Sequence, residues 1–94
     1  MIKNYENLFI LEPSLSEEDV KGEIEAITKI IGKYEGKVET TDVWGKRMLA
    51  YPIKDKDEGF YVLFEVKFPP ENIDNLKKEL GLNQKVLRYF ILKK

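Results

Sequence analysis

Between Phe60 and Phe68 the chain alternates strictly: Phe60, Val62, Phe64, Val66 and Phe68 fall on one side, and Tyr61, Leu63, Glu65 and Lys67 on the other. Successive side chains of a strand point to opposite faces, so this period of two predicts a strand with one face fully buried. Something else in the chain has to cover that face.

Two segments carry a helical period that suits the task. Val20, Ile24, Ile27, Ile31 and Tyr34 recur at steps of four, three, four and three, which at about 3.6 residues per turn makes one apolar stripe. Ser16 stands three residues before Asp19, a capping-box-like spacing, and Leu15 and Val20 are placed as a hydrophobic staple. Gly36, just past the stripe, is expected to take the left-handed position that ends the helix. After Pro69-Pro70, Ile73, Leu76 and Leu80 share one face of a second helix that Glu71 opens and Gly81 ends.

The rest of the chain reads as strand. Tyr5–Leu11 is rich in strand formers and stops at Glu12-Pro13. Lys37 to Ile53 predicts one long, bent strand with a bulge at Trp44-Gly45, and Lys54–Gly59 is a polar, turn-prone hairpin connection. Val86–Leu92 supplies the last strand. The order β, α, β, β, α, β predicts an α+β fold of the ferredoxin-like kind: a four-stranded antiparallel sheet with two helices on one face. At 94 residues, 43% hydrophobic and 35% charged, the chain is expected to be a single folded domain spanning 1–94.

Cysteine and histidine are both absent, which removes disulfides, thiolate and imidazole metal sites, and Ser-His or Cys-His catalysis. The acidic run Glu17-Glu18-Asp19 falls in the first turn of the first helix, where the helix dipole favours negative charge, so it reads as a helix start rather than a metal site. The glycines match neither phosphate-loop nor dinucleotide spacing. The loop Glu12-Pro13-Ser14-Leu15 lacks the arginine that an acylphosphatase of this topology requires. The expectation is therefore no catalytic residue, no metal, no cofactor and no small-molecule substrate. Met1-Ile2-Lys3-Asn4-Tyr5 lacks a signal peptide's apolar run and no stretch is long enough to span a bilayer, so a cytoplasmic chain without a membrane partner is expected. With 16 basic against 17 acidic residues the net charge is −1, and any nucleic-acid contact has to use local basic patches.

The run Trp44-Gly45-Lys46-Arg47-Met48-Leu49-Ala50-Tyr51-Pro52-Ile53, followed by Glu58-Gly59-Phe60-Tyr61-Val62-Leu63, resembles the signature of the bacterial small-subunit ribosomal protein S-six family. The resemblance extends to Tyr5-Glu6, Pro13, Glu17-Glu18 and Val86-Leu87-Arg88-Tyr89, nearly the whole chain; Met48 stands where the family often has a polar or basic residue. It implies a structural RNA-binding protein that contacts the central domain of 16S ribosomal RNA as a heterodimer with small-subunit protein eighteen.

On that reading Lys3, Lys46, Arg47, Arg88, Lys93 and Lys94 are the candidate RNA contacts, and Trp44, Tyr51 and Phe60 the candidate partner contacts. Lys46 and Arg47 are adjacent on an extended segment and point to opposite faces, so one can meet a phosphate groove while the other meets protein. Their ordinary alternative is a pair of solvated charges guarding a sheet edge. Lys3, Arg88, Lys93 and Lys94 are expected to converge at one edge, because first and last strands are neighbours in this topology. Trp44 has two readings: a space-filling ring in the core, the usual fate of a large aromatic beside a bulge, or an anchor for a partner. Tyr51 and Phe60 share that ambiguity. Glu58 and Tyr61-Val62 break the RNA-recognition-motif pattern, so base stacking on the open sheet is disfavoured. The competing function is a ferredoxin-like regulatory module that binds a small ligand.

Overall fold

A computed structural model describes all residues, Met1 to Lys94. The elements follow the predicted order: β1 (Lys3–Leu11), α1 (Glu17–Lys33), β2 (Lys37–Ile53), β3 (Lys56–Phe68), a short 3-10 turn (Pro70–Asn72), α2 (Ile73–Gly81) and β4 (Val86–Lys93). The strands form one antiparallel sheet in the order β2-β3-β1-β4, the ferredoxin-like arrangement.

Alternation in β3 does what the sequence demands. Val62, Phe64, Val66 and Phe68 are buried, with Phe64 set edge-on against Phe9 of β1 at 5.3 Å between ring centroids. They join Tyr5, Phe9 and Leu11 of β1, Val20, Ile27 and Ile31 of α1, and Leu76 and Leu80 of α2 in one core between the sheet and the helices. Leu15 packs against that core and Val20 is part of it, as a staple requires, and Ser16 Oγ accepts from Asp19 N–H at 3.1 Å. Glu23, one step off the predicted stripe, is also buried; its carboxylate accepts from Asn83 Nδ2 at 2.8 Å and so ties α1 to the loop before β4.

Two local expectations are corrected. The left-handed residue closing α1 is Glu35, at φ +70°, and not Gly36. Glu35 N–H donates to the Gly32 carbonyl and Gly36 N–H to the Ile31 carbonyl, a Schellman pair that fixes Glu35 as the turning residue. The hairpin turn is also far shorter than the six polar residues suggest. Ile53 pairs with Lys56, so only Lys54 and Asp55 turn, at φ +51° and +65°, the double positive φ of a type I′ hairpin. Lys56–Gly59 are strand, because each arm of the hairpin satisfies the other's backbone groups.

The predicted bulge is present and consequential. Val43 pairs with Val62 and Gly45 with Tyr61, leaving Trp44 as the extra residue, with Gly45 at φ +89°. A second irregularity follows. Met48 pairs with Glu58 and Ile53 with Lys56, so Leu49, Ala50, Tyr51 and Pro52 stand opposite Asp57 alone. Leu-Ala-Tyr-Pro is therefore a broad arch in the strand.

Candidate nucleic-acid and partner interface

Both helices lie on one face of the sheet, and the other face is open. On the open face Ile10, Ile53 and Leu87 are nevertheless buried, with Leu49 and Tyr61 packed against them. Gly59 makes this possible: a Cβ there would collide with the Ile10 side chain and meet Leu49 at 3.6 Å. The arch of β2 rises beside this small cluster and encloses a concavity of about 220 Å³, lined by Leu8, Ile10, Leu49, Tyr51, Tyr61 and Phe90 among others, all apolar or aromatic. Tyr51 is 58% exposed and Phe90 41%. Leu92, further along β4, is exposed as well. Such a patch on a sheet surface is the chemistry of a protein docking site.

Trp44 does not fill the core, the fate usual for such a ring beside a bulge. It is 40% exposed and belongs to neither buried cluster. Because it is the extra residue of the bulge, its ring turns onto the open face and lies parallel to Tyr61, 8° from coplanar and 6.1 Å away. Its Nε1 donates to Asp42 Oδ2 at 3.1 Å. Phe60 belongs to the opposite face: half-buried, it packs against the main core and, with Val20, Ile24 and Val43, lines a groove beneath α1. Trp44 and Tyr51 thus share a face that Phe60 does not.

The cations divide likewise. Lys46 pairs with Phe60 and points to the helix side, while Arg47 pairs with Gly59 and points to the open face, as adjacency on a strand requires. Arg47 Cζ lies 5.7 Å from the Trp44 ring centroid. Lys3, Lys93 and Lys94 gather at one end of the sheet, where Lys93 pairs with Tyr5 and Lys94 N–H donates to the Asn4 carbonyl. Arg88 does not join them. It pairs with Ile10 about five residues away, roughly 17 Å along the strand, and its Nη1 donates to Tyr51 Oη at 3.4 Å. Strand adjacency was visible in the topology; the position along the strand was not.

Lys94 is already engaged. Its Nζ donates to Glu65 Oε1 at 2.6 Å. That hydrogen bond, then the carboxylate's charge, raises the Lys94 pKa, and the same bond, helped by Thr40, lowers that of Glu65. Lys3, Lys46 and Lys93 make no ion pair within the chain.

The fold and its faces define a platform that presents side chains to other molecules. Residues 4–93 match the family described as Ribosomal protein S6. The chain is 42% identical over 90 residues to small ribosomal subunit protein bS6 of Dictyoglomus turgidum, covering 96% of this chain and 93% of that one. It is 43% identical over 91 residues to the protein of the same name from Clostridium novyi, covering 97% and 96%. The crystal structure of 30S ribosomal protein S6 from Thermotoga maritima superposes with a TM-score of 0.92 at 26% identity, covering all of this chain and 89% of that one.

The chain belongs to the ribosomal protein S6 family. It is a structural constituent of the small ribosomal subunit and not an enzyme. These relatives give the small-ligand regulatory reading no support.

Proposed function

We propose that the chain binds 16S ribosomal RNA in the central domain together with small-subunit protein eighteen, with the two partners on different surfaces. The observation that carries this reading is the uncovered apolar concavity beside the Leu49–Pro52 arch: a ribosomal constituent with an exposed aromatic hollow and a net charge of −1 is suited to seat a protein there and to leave much of the RNA's charge neutralisation to it. Tyr51, Trp44 and Phe90 face the protein. Lys3 and Lys93 at the end of the sheet and Lys46 on the helix side of the hairpin remain for phosphate contacts, a short list that predicts weak binding by the chain alone.

Filter binding to a three-way-junction fragment of the RNA, with and without protein eighteen and across rising salt, tests the proposal. Tight, salt-sensitive binding is expected only when both proteins are present. Tyr51→Ala is expected to weaken the protein pair by about thirty-fold or more, as for a central aromatic anchor, while leaving the thermal midpoint unchanged. Equal RNA affinity for the chain alone would reject the division of roles.

A further inference from the structure

Trp44 and Arg47 are three residues apart, and in a regular strand they would point to opposite faces. The bulge changes that. With Trp44 as the extra residue and Gly45 at φ +89°, both side chains reach the face that carries Tyr61. The result is a chain of contacts: Asp42 Oδ2 holds the indole N–H, the indole lies parallel on Tyr61, and the Arg47 guanidinium sits over the indole. Arg47 takes part in no ion pair and no side-chain hydrogen bond, so its N–H fork is oriented yet unused.

We propose that Asp42, Trp44 and Tyr61 preset Arg47 as an anion receptor at the rim of the open-face concavity, and that its ligand is a carboxylate side chain of the docked protein. This inference rests on the partner reading above and moves Arg47 from the RNA side to the protein side.

Three features favour a carboxylate over a phosphodiester. Tyr61 both lines the concavity and supports Trp44, which in turn carries Arg47, so the hollow and the guanidinium are joined on one face through two parallel rings; apolar side chains fill such a hollow, and a sugar-phosphate backbone does not. Asp42 lies beside the indole, and Lys46 points away to the other face, so Arg47 is an isolated cation rather than part of the basic stripe that tracks a nucleic-acid backbone. Arg88 donates to Tyr51, which lines the same hollow, and it too makes no ion pair. Arginine beside aromatic rings at the edge of an apolar centre is the composition of a protein-binding hot spot.

The test measures binding of the full chain to protein eighteen in the absence of RNA. Arg47→Gln is expected to weaken the complex about thirty-fold or more, as when one partner of a desolvated charge pair is removed. Arg47→Lys, which keeps the charge and loses the fork, should fall between. Trp44→Leu should weaken binding about five- to ten-fold when Arg47 is present, a loss within reach of a lost cation–π contact of this kind, and clearly less in the Arg47→Gln background, where only its own contact with the partner is lost. A purely structural Trp44 would instead weaken both backgrounds alike, and that result would overturn the positioning role. If Arg47→Gln binds protein eighteen like the unaltered chain, the carboxylate assignment is wrong. A fall of about one in the salt slope of RNA binding would then identify a phosphate as the ligand. Absence of any complex with the unaltered chain would reject the partner reading and this inference with it.

Discussion

Gly36 lies against the ring of Phe68 so closely that a Cβ on it would overlap the ring and crowd the Ile31 methyl group. Glycine is required there for space, while the turn itself is made one residue earlier by Glu35 at φ +70°. The two neighbours therefore respond in different ways to substitution.

Gly36→Ala is expected to destabilise the protein by about 1–3 kcal/mol, the range for inserting a methyl group into a packed core. Phe68 is fully buried and has no room to retreat. Glu35→Gly relieves a left-handed residue, worth about 1–2 kcal/mol, and loosens the unfolded chain by about 0.4–1 kcal/mol; the net change is small and favourable. Urea midpoints of the two variants, moving in opposite directions, check the assignment. The reverse pattern would return the turn to Gly36.

The strands and helices were legible because their signals are local: the alternation of Phe60–Phe68, the stripe from Val20 to Tyr34 and the Ser16 cap are each contained within a few turns of chain. What escaped depended on partners distant in sequence. Lys56–Gly59 look like loop until their pairing with β2 satisfies their backbone. Glu23 looks like a surface acid until Asn83 reaches it. The Trp44-Gly45 bulge was legible as a bulge, yet the face on which it sets Trp44 depends on the register with β3, which no local pattern reveals. The same limit applies to Arg88, whose strand was predicted but whose neighbour, Tyr51, was not.

Glu79 joins the two helices electrostatically. Its Oε1 accepts from Tyr34 Oη at 2.7 Å and from Lys33 Nζ at 2.9 Å. The Tyr34 hydrogen bond, then that of Lys33, lowers the Glu79 pKa, while the bond to Glu79 raises those of Lys33 and Tyr34. A lowered carboxylate pKa contributes stability that is present above the unfolded value and lost as pH falls through the folded one. Raised Lys and Tyr values contribute stability that is present below their unfolded values and lost as pH rises through the folded ones. Glu79→Gln should therefore flatten both limbs of the stability profile, below the ordinary glutamate range and above the ordinary tyrosine and lysine ranges. Thermal midpoints of the two proteins across pH check this; parallel profiles would show that Glu79 contributes nothing through its charge.

Asn7 sits in the middle of β1, opposite Phe64 on one side and Ile91 on the other, and points to the helix side of the sheet between Tyr5 and Phe9. It is 1% exposed, and neither its Oδ1 nor its Nδ2 has a hydrogen-bond partner in the protein. A buried polar group left unpaired costs about 1–3 kcal/mol, whereas an apolar side chain of similar shape costs nothing of that kind. Asn7→Val also places a β-branched residue in a central strand, where such residues pack well. The variant is therefore expected to be more stable by about 1–3 kcal/mol, seen as a higher urea midpoint with an unchanged slope, and to bind its partners as before because Asn7 lies on the opposite face from the concavity. A lower midpoint would mean that the amide is satisfied by an enclosed water whose bonds valine cannot replace.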